Sequence, residues 1–466
     1  MTGQIRLERI SNNEFRPHVQ VGPLIESLLS DAVEAFDEYV KLGGYDVVRR
    51  LEDPEAAIQT LEDTGLRGRA GGGYPTAHKW WLVSRQEDEE KYFICNANAG
   101  QAGGFKERYL LNANPRRIVE AVVTGARVVG ARTAFIALPP QFSAEAHLLE
   151  QAIAEATAAG FIGPDLHVFV YRSLGSYIIG EETALMELIE GKIGRPRTKP
   201  PLPTARGVFG KPTAVSNLET LLHAHYILKN GADKFRENGQ PHAPGTLVFS
   251  LSGHIKRPGL YELPLGTPLR EIIFDHGQGL LDDRPLKAVF PGLSSPVLGP
   301  ESLDVAMDFD SLREIDSDLG SGSVIVVTEP TCMVQVASQL NDFFYYGSCG
   351  KCQPCKDGTQ RTSVMLHNLE HLDEKSIDRA GKVLPPSLRK RTLNVISNPI
   401  AGVSYTDTAE GLDKIRHLSE FYKYRGDCHH STEAANSIQA LLKLFKNEFE
   451  DHRSNSVCQH EGLVTV

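Results

Sequence analysis

The chain has 466 residues, of which 41% are hydrophobic and 23% charged, and its net charge is −10. That length exceeds one ordinary domain and predicts two to four. The composition excludes a disordered chain, and the acidic balance argues against a nucleic-acid surface.

The opening "MTGQIRLERISNNEF" lacks the basic, apolar, small-residue order of a secretory leader. No stretch approaches the roughly 20 apolar residues of a membrane span. A cytoplasmic protein without direct membrane insertion is expected, any membrane association running through partner subunits. Residues 1–60 read as an acidic N-terminal helical segment, with apolar positions at helical spacing in "LIESLLSDAVEAFDEYVKL". Next comes "GLRGRAGGGYPTAHKWW" (65–81), dense in glycine and flanked by basic residues. Gly68, Gly71, Gly72 and Gly73 would let backbone N–H groups approach a phosphate, while Arg69 and Lys79 would supply charge. A lone Gly-rich loop is more often just a turn, so its surroundings decide.

Those surroundings alternate. "KYFICNA" (91–97) reads as a buried strand and is followed by a second Gly-containing stretch, "NAGQAGGFKER" (98–108). From 116 to 171 helix and strand patterns succeed one another: "RIVEAVVTGARVVG", "RTAFIAL", "AEAHLLEQAIAEATAAG", "LHVFVYR". This is the pattern of βαβ units and a parallel sheet, whose ligands sit at the carboxyl ends of strands. Both "NAGQAGGFKER" and "SLGSYIIGEETAL" (173–185) fall at such ends. The Pro-rich "GRPRTKPPLPTARGVFGKPT" (194–213) must be an ordered loop or a wrap over a neighbour. Short strands, a Gly-Pro turn and one helix over 245–330 suggest a small β-grasp module. Beyond about 333 the chain reads helical. The expected class is α/β, with boundaries at 61–240 for a Rossmann-like parallel-sheet nucleotide domain, 241–330 for the β-grasp-like domain and 331–466 for a helical domain.

The helical part carries "GSCGKCQPCKDG" (347–358), with Cys349, Cys352 and Cys355 in C-x2-C-x2-C spacing. Structural zinc normally uses two separated C-x2-C pairs, and the second pair is missing. The spacing is that of an iron–sulfur cluster needing four thiolates. The compact pattern's fourth cysteine would fall at 359, which is Thr. The fourth ligand must be Cys95, Cys332, Cys428 or Cys458. Cys428 is favoured because a helix with Ile438, Leu441, Leu442, Phe445 and Phe449 on one face follows it, with Ser431 as its cap. A Cys3His zinc site using His429 or His430 is the competing reading.

In this order the motifs closely resemble one family, the NADH-oxidising flavoprotein subunit of respiratory complex I and its relatives in NAD-linked formate dehydrogenases and NAD-reducing hydrogenases. "GLRGRAGGGYPTAHKW", "GSYIIGEETALMELIEGKIGRPRTKPPLP", "GKPTAVSNLETL", "SLSGHIKRPGLYELPLGTPLREII" and "SCGKCQPCKDGT" carry the resemblance across about 60–450. It implies a [4Fe–4S] cluster on Cys349, Cys352, Cys355 and Cys428. It implies FMN against Gly68, Arg69, Gly71, Gly72, Tyr74, Lys79, Asn96, Asn98, Tyr177, Gly180, Glu181, Glu182, Ser216 and Asn217, with Lys79 and Glu182 in catalysis. NAD(H) or NADP(H) is the implied substrate, and a small iron–sulfur subunit within a larger oxidoreductase complex the implied partner.

The sequence also departs from the family. The family's N-A-D-E-G-E-P-G-T is "NANAGQAGG" (96–104), so carboxylates are replaced at Asn98, Ala99 and Gln101, and Ala102 and Gly104 stand for Pro and Thr. Ala70, Tyr74, Leu202 and Ser216 differ as well. The expected function is electron transfer between NAD(P)H, FMN and the cluster; the alternative is a relay or scaffold subunit without productive nucleotide binding. The 370–405 stretch reads as an insertion exposed for partner contact or mere embellishment.

Overall fold

The computed structural model describes residues 17–98, 100–369 and 411–454. Ala99, Cys458 and the insertion therefore lie outside the described residues, as do 1–16. The N-terminal segment departs from the expected helical run. Its described part opens on a strand, β1 (His18–Gln20), followed by four short helices, α1 (Pro23–Leu29), α2 (Phe36–Lys41), α3 (Asp46–Arg50) and α4 (Pro54–Thr64). Asp53 starts α4 by accepting from the Glu55 and Ala56 amides, with Pro54 in the first turn, where its missing N–H costs nothing.

Helix α5 (Thr76–Ser84) leads into β2 (Tyr92–Asn96). Then come α6 (Lys106–Ala113), α7 (Pro115–Val129), β3 (Thr133–Leu138), α8 (Ser143–Ala158), β4 (His167–Arg172), α9 (Glu182–Ile189), β5 (Thr213–Asn217), α10 (Leu218–Asn230) and α11 (Ala232–Arg236). The four strands form one parallel sheet in the order β4-β3-β2-β5. Register sets Asn96 beside Asn217 at the carboxyl ends. Helix α7 packs closely on this sheet because residue 125 is glycine: a Cβ there would lie 2.5 Å from the Phe93 ring. Burying a ring like Phe93 contributes about 1.5–3 kcal/mol.

A two-strand ribbon, β6 (Gly239–Gln240) with β7 (Ala243–Pro244), leads to β8 (Thr246–Gly253), β9 (Gly259–Pro264), the short α12 (Leu269–Glu271), β10 (Leu286–Phe290), α13 (Phe309–Glu314) and β11 (Ser323–Thr328). These build a mixed sheet, β1-β9-β8-β11-β10, in which the N-terminal β1 is the parallel edge partner of β9. The glutamate Glu262 fastens that edge, accepting from the Leu24 and Ile25 amides at 2.8 Å each.

The remaining described residues are mainly helical: α14 (Met333–Gly347), α15 (Gln353–Leu369), α16 (Gly411–Tyr422), α17 (His430–Leu444) and α18 (Lys446–Ser454). Ile438 and Leu441 are buried as expected, but the run breaks at Phe445, so Phe449 belongs to the next helix. Ser431 is not the cap. His429 already has helical angles (φ −71, ψ −15) and Ser431 is buried inside the first turn. Among the described residues, no helix is long and apolar enough to cross a membrane.

Candidate functional site

Two adjoining cavities open at the carboxyl ends of β2 and β5. The first, about 320 Å³, is walled by the 68–74 loop, Lys79, Asn96, Gly180, Glu181, Glu182, Lys199, Ser216 and Asn217. The second, about 250 Å³, shares Ala70, Gly71, Asn96, Gly180, Glu181 and Asn217 with it, and adds Asn98, Gln101, Tyr177, Cys428 and Glu433. All fourteen residues expected at the cofactor thus line one of the two cavities, Arg69 by its main chain only. Gly71, Gly72 and Gly180 front open space, since an added Cβ would meet no protein atom within 4 Å. They form a backbone cradle with room for a ligand.

Two expected residues also start helices that point at the cavity. Glu181 caps α9 through the Thr183 and Ala184 amides, both at 2.9 Å. Asn217 caps α10 through the Glu219 and Thr220 amides. Helix N-termini so aimed favour an anionic ligand.

Charge is arranged in a chain. Lys79 Nζ donates to Glu182 at 3.2 Å and to the Val215 carbonyl at 3.1 Å. Lys199 reaches Glu182 at 2.8 Å and Glu181 at 3.0 Å. Burial pushes the Glu182 carboxyl up, but Lys79 and Lys199 outweigh it and hold the group at about 2. Nearby, Asn96 Nδ2 donates to the Gly180 carbonyl at 3.0 Å, tying the β2 end to the α9 approach. Trp80 Nε1 donates to Ser216 Oγ at 3.0 Å. Leu202 is 46% exposed.

Arg69 corrects the expectation that its charge serves a phosphate. Its side chain is 1% exposed and turned inward, donating to the carbonyls of Thr246 (3.1 Å), Arg67 (3.3 Å) and Pro244 (3.0 Å). Burial lowers this guanidinium to about 10, with Glu219 opposing. Beneath it lies a buried ion pair that sequence reasoning missed. Lys106 meets Glu219 at 2.6 Å, with side chains 1% and 0% exposed, and also donates to the carbonyls of Arg69 and Ser321. Burial pushes Glu219 up, yet Lys106 and His223 hold it at about 2. The Gly-rich loop is therefore braced from behind by charges that never reach the cavity.

Along the other wall, Cys349 and Cys352 sit on the loop into α15, Cys355 in the first turn of α15, and Cys428 on the loop before α17. Gly350 turns the first loop with φ +69. The Asp427 amide donates to Cys352 Sγ at 3.3 Å, and Lys351 bridges the loops by pairing with Asp427 at 2.8 Å. Burial pushes the Cys428 thiol up to about 12, with Cys349, Glu181 and Cys355 adding to it against the His430 amide. None of the described cysteines is in a disulfide. Cys95 and Cys332 are fully buried elsewhere. Cys349 and Cys355 act electrostatically on Cys428, and Cys349 and Cys352 on Cys355, so the four thiols are neighbours, the number of thiolates an iron–sulfur cluster takes. Among the described residues, no group of three or more His, Cys, Asp or Glu is arranged to hold a metal ion as the side chains stand. The His430 ring nitrogen Nε2 is engaged by the Phe344 carbonyl at 2.7 Å.

Residues 61–226 match the model of the Nuo51 FMN-binding domain, 248–288 that of the SLBB domain, and 335–385 that of the NADH-ubiquinone oxidoreductase-F iron-sulfur binding region. An F-type NADH-quinone oxidoreductase subunit of Rhizobium meliloti (strain 1021) is 40% identical over 427 residues, covering 89% of this chain and 94% of that protein. The NADP-reducing hydrogenase subunit HndC of Solidesulfovibrio fructosivorans is 34% identical over 435 residues, covering 91% and 82%. Among solved structures, the NAD+-reducing [NiFe]-hydrogenase in the H2-reduced state aligns with a TM-score of 0.78 at 29% identity, over 94% of this chain and 68% of the other.

Proposed function

The chain belongs to the family of F-type NADH-quinone oxidoreductase subunits, and from that premise we propose that its paired cavities hold FMN and lead from it to a [4Fe–4S] cluster on Cys349, Cys352, Cys355 and Cys428. As a member it is an NAD(P)H-linked electron-transfer flavoprotein subunit with an FMN-binding domain and an iron–sulfur region. When bound, FMN supplies two-electron chemistry with the nicotinamide and the cluster supplies one-electron transfer.

The observation that carries the reading is the shared wall: one cavity surface includes Gly71 and Gly180 of the glycine cradle together with Cys428. Backbone amides of the 68–74 loop and the starts of α9 and α10 would hold phosphate. Lys79, paired with Glu182, would stand over the ligand's polar edge, while Asn96, Asn98 and Tyr177 would orient it. The Pro-rich loop and Lys199 would position the nicotinamide substrate. The segments 61–240, 241–330 and 331–466 would act as the nucleotide, β-grasp-like and cluster units. Relatives bear the names of oxidoreductase and hydrogenase subunits, which supports a place in a larger complex. A small iron–sulfur subunit is the proposed immediate electron partner, docking beside Cys349 and Cys352.

The test is cofactor content with turnover. Anaerobically purified protein should release FMN on heating, carry cluster iron and sulfide, and reduce an artificial acceptor with NADH or NADPH. Flavin that chromatographs as FAD, or cluster-loaded protein inert to both nucleotides, would overturn the reading.

A further inference from the structure

Helix α17 presents one carboxylate to the cavity that the function has not absorbed. Glu433 stands in its first turn and accepts from the Tyr177 hydroxyl at 3.0 Å. Both residues line the cavity with Asn96 and Gly180. The Tyr177 ring is wedged against Phe343 at 4.9 Å and His430 at 5.8 Å, so the hydroxyl cannot swing freely.

The other carboxylates of these cavities are engaged. Glu181 and Glu182 are paired to lysines, and Glu107 lies buried beside Lys106. At Asn98 and Gln101 the chain has amides, both held by hydroxyls: Ser173 donates to Asn98, Ser321 to Gln101. Among the described residues, no lysine or arginine lines the cavity that Glu433 faces. Asp318 repels it from the loop before β11, Tyr177 donates from the approach to α9, and His429 and His430 lie on its own element. Burial, set against the Tyr177 bond and reinforced by Asp318, lifts its carboxyl to about 7.

We propose that Glu433 is a positioning and proton-accepting residue: it orients Tyr177 and binds one proton from solvent for each electron pair stored in the cavity. This rests on the flavin reading above. Negative charge added nearby makes the carboxylate harder to ionise. The balance is one proton gained by Glu433 per two electrons delivered, with no bond broken, and the proton returns to solvent on reoxidation.

The experiment is a mediated spectroelectrochemical titration of the FMN-loaded protein over roughly pH 6–9. It needs no nucleotide, so it is blind to any failure of NADH oxidation. One extra proton per electron pair is a tenfold change in the reduction equilibrium per pH unit, about 30 mV. The wild-type midpoint should fall more steeply by that amount above about pH 7 than that of Glu433→Gln. Tyr177→Phe, which removes the bond that lowers Glu433, should keep the extra slope and move its onset to higher pH. Equal slopes in wild type and Glu433→Gln would overturn the proposal, as would an onset unmoved in Tyr177→Phe. Wild-type protein without flavin absorbance would overturn the flavin reading itself, before any titration begins.

Discussion

Replacing Arg69 by methionine should unfold more protein than it releases flavin. The guanidinium makes three hydrogen bonds to main-chain carbonyls at 3.0–3.3 Å, and its side chain is 1% exposed. Methionine matches much of the volume but leaves those acceptors without donors, each worth about 1–3 kcal/mol when buried. Partial relaxation and entry of water reduce the sum, so a loss of roughly 3–5 kcal/mol is expected, the range for breaking a buried charged contact. That corresponds to a fall of about 10 °C in melting temperature for a unit of this size. The Arg69 amide still donates to Thr220 Oγ1 at 2.8 Å, so the loop's cavity face keeps its course. Urea and thermal unfolding followed by circular dichroism give the stability, and flavin fluorescence on the folded fraction gives FMN affinity. Lys79→Met is the converse control: its side chain is one-quarter exposed and faces the cavity. It should lose no more than about 1 kcal/mol of stability and weaken FMN clearly. An Arg69→Met protein with wild-type stability and a tenfold loss of FMN affinity, about 1.4 kcal/mol, would refute the reasoning and return Arg69 to the phosphate.

Cys428→Ser should lose or convert the cluster, seen as a fall in bound iron and a changed reduced-state EPR signal, whereas Cys95→Ala, buried in β2, should leave both intact. Glu182 is held at about 2 against an ordinary 4.5, so its stabilising effect is full above 4.5 and is lost as pH falls toward 2; urea midpoints of wild type should drop more steeply below pH 4.5 than those of Glu182→Gln. Asn98 Nδ2 donates to Asn96 Oδ1 at 3.0 Å, so Asn98→Asp would set two acceptors together and place a new charge at the cavity. A charge about 6 Å from a flavin ring interacts with added negative charge by roughly 2–3 kcal/mol at an effective dielectric near 20. At about 30 mV per 1.4 kcal/mol, the flavin midpoint should fall by some tens of millivolts, and an unchanged potential would contradict the placement.

Local patterns announced most of the parallel sheet. "YFICN" and "TAFIAL" are continuous apolar runs because both sheet faces are covered, and the intervening α7 carries its own cap, Asn114. The cysteine spacing was equally readable, since three ligands on one tight loop leave a local trace. What escaped was non-local. Lys106, Glu219 and Arg69 look like solvated charges in a linear text, and only the fold brings them together behind the Gly-rich loop. The three-residue β1 has no periodicity to detect, and its strand character comes from its partner, β9. Ser431 has a good cap's chemistry, but the chain enters the helix two residues earlier. Glu433 reads as an ordinary polar helix position until Tyr177, 256 residues away, is placed against it.

In the proposed path, electrons pass between nucleotide and cluster by way of flavin held at the shared cavity wall. Anaerobic stopped-flow mixing of FMN-loaded and FMN-depleted protein with NADH and then NADPH, followed by rapid-freeze EPR, tests it most directly. The account predicts that flavin absorbance bleaches before the cluster signal grows in loaded protein, and that neither change occurs in depleted protein. Cluster reduction by nucleotide without flavin, or fully flavinated protein that neither nucleotide bleaches at about millimolar concentration, well into the usual KM range, would contradict it.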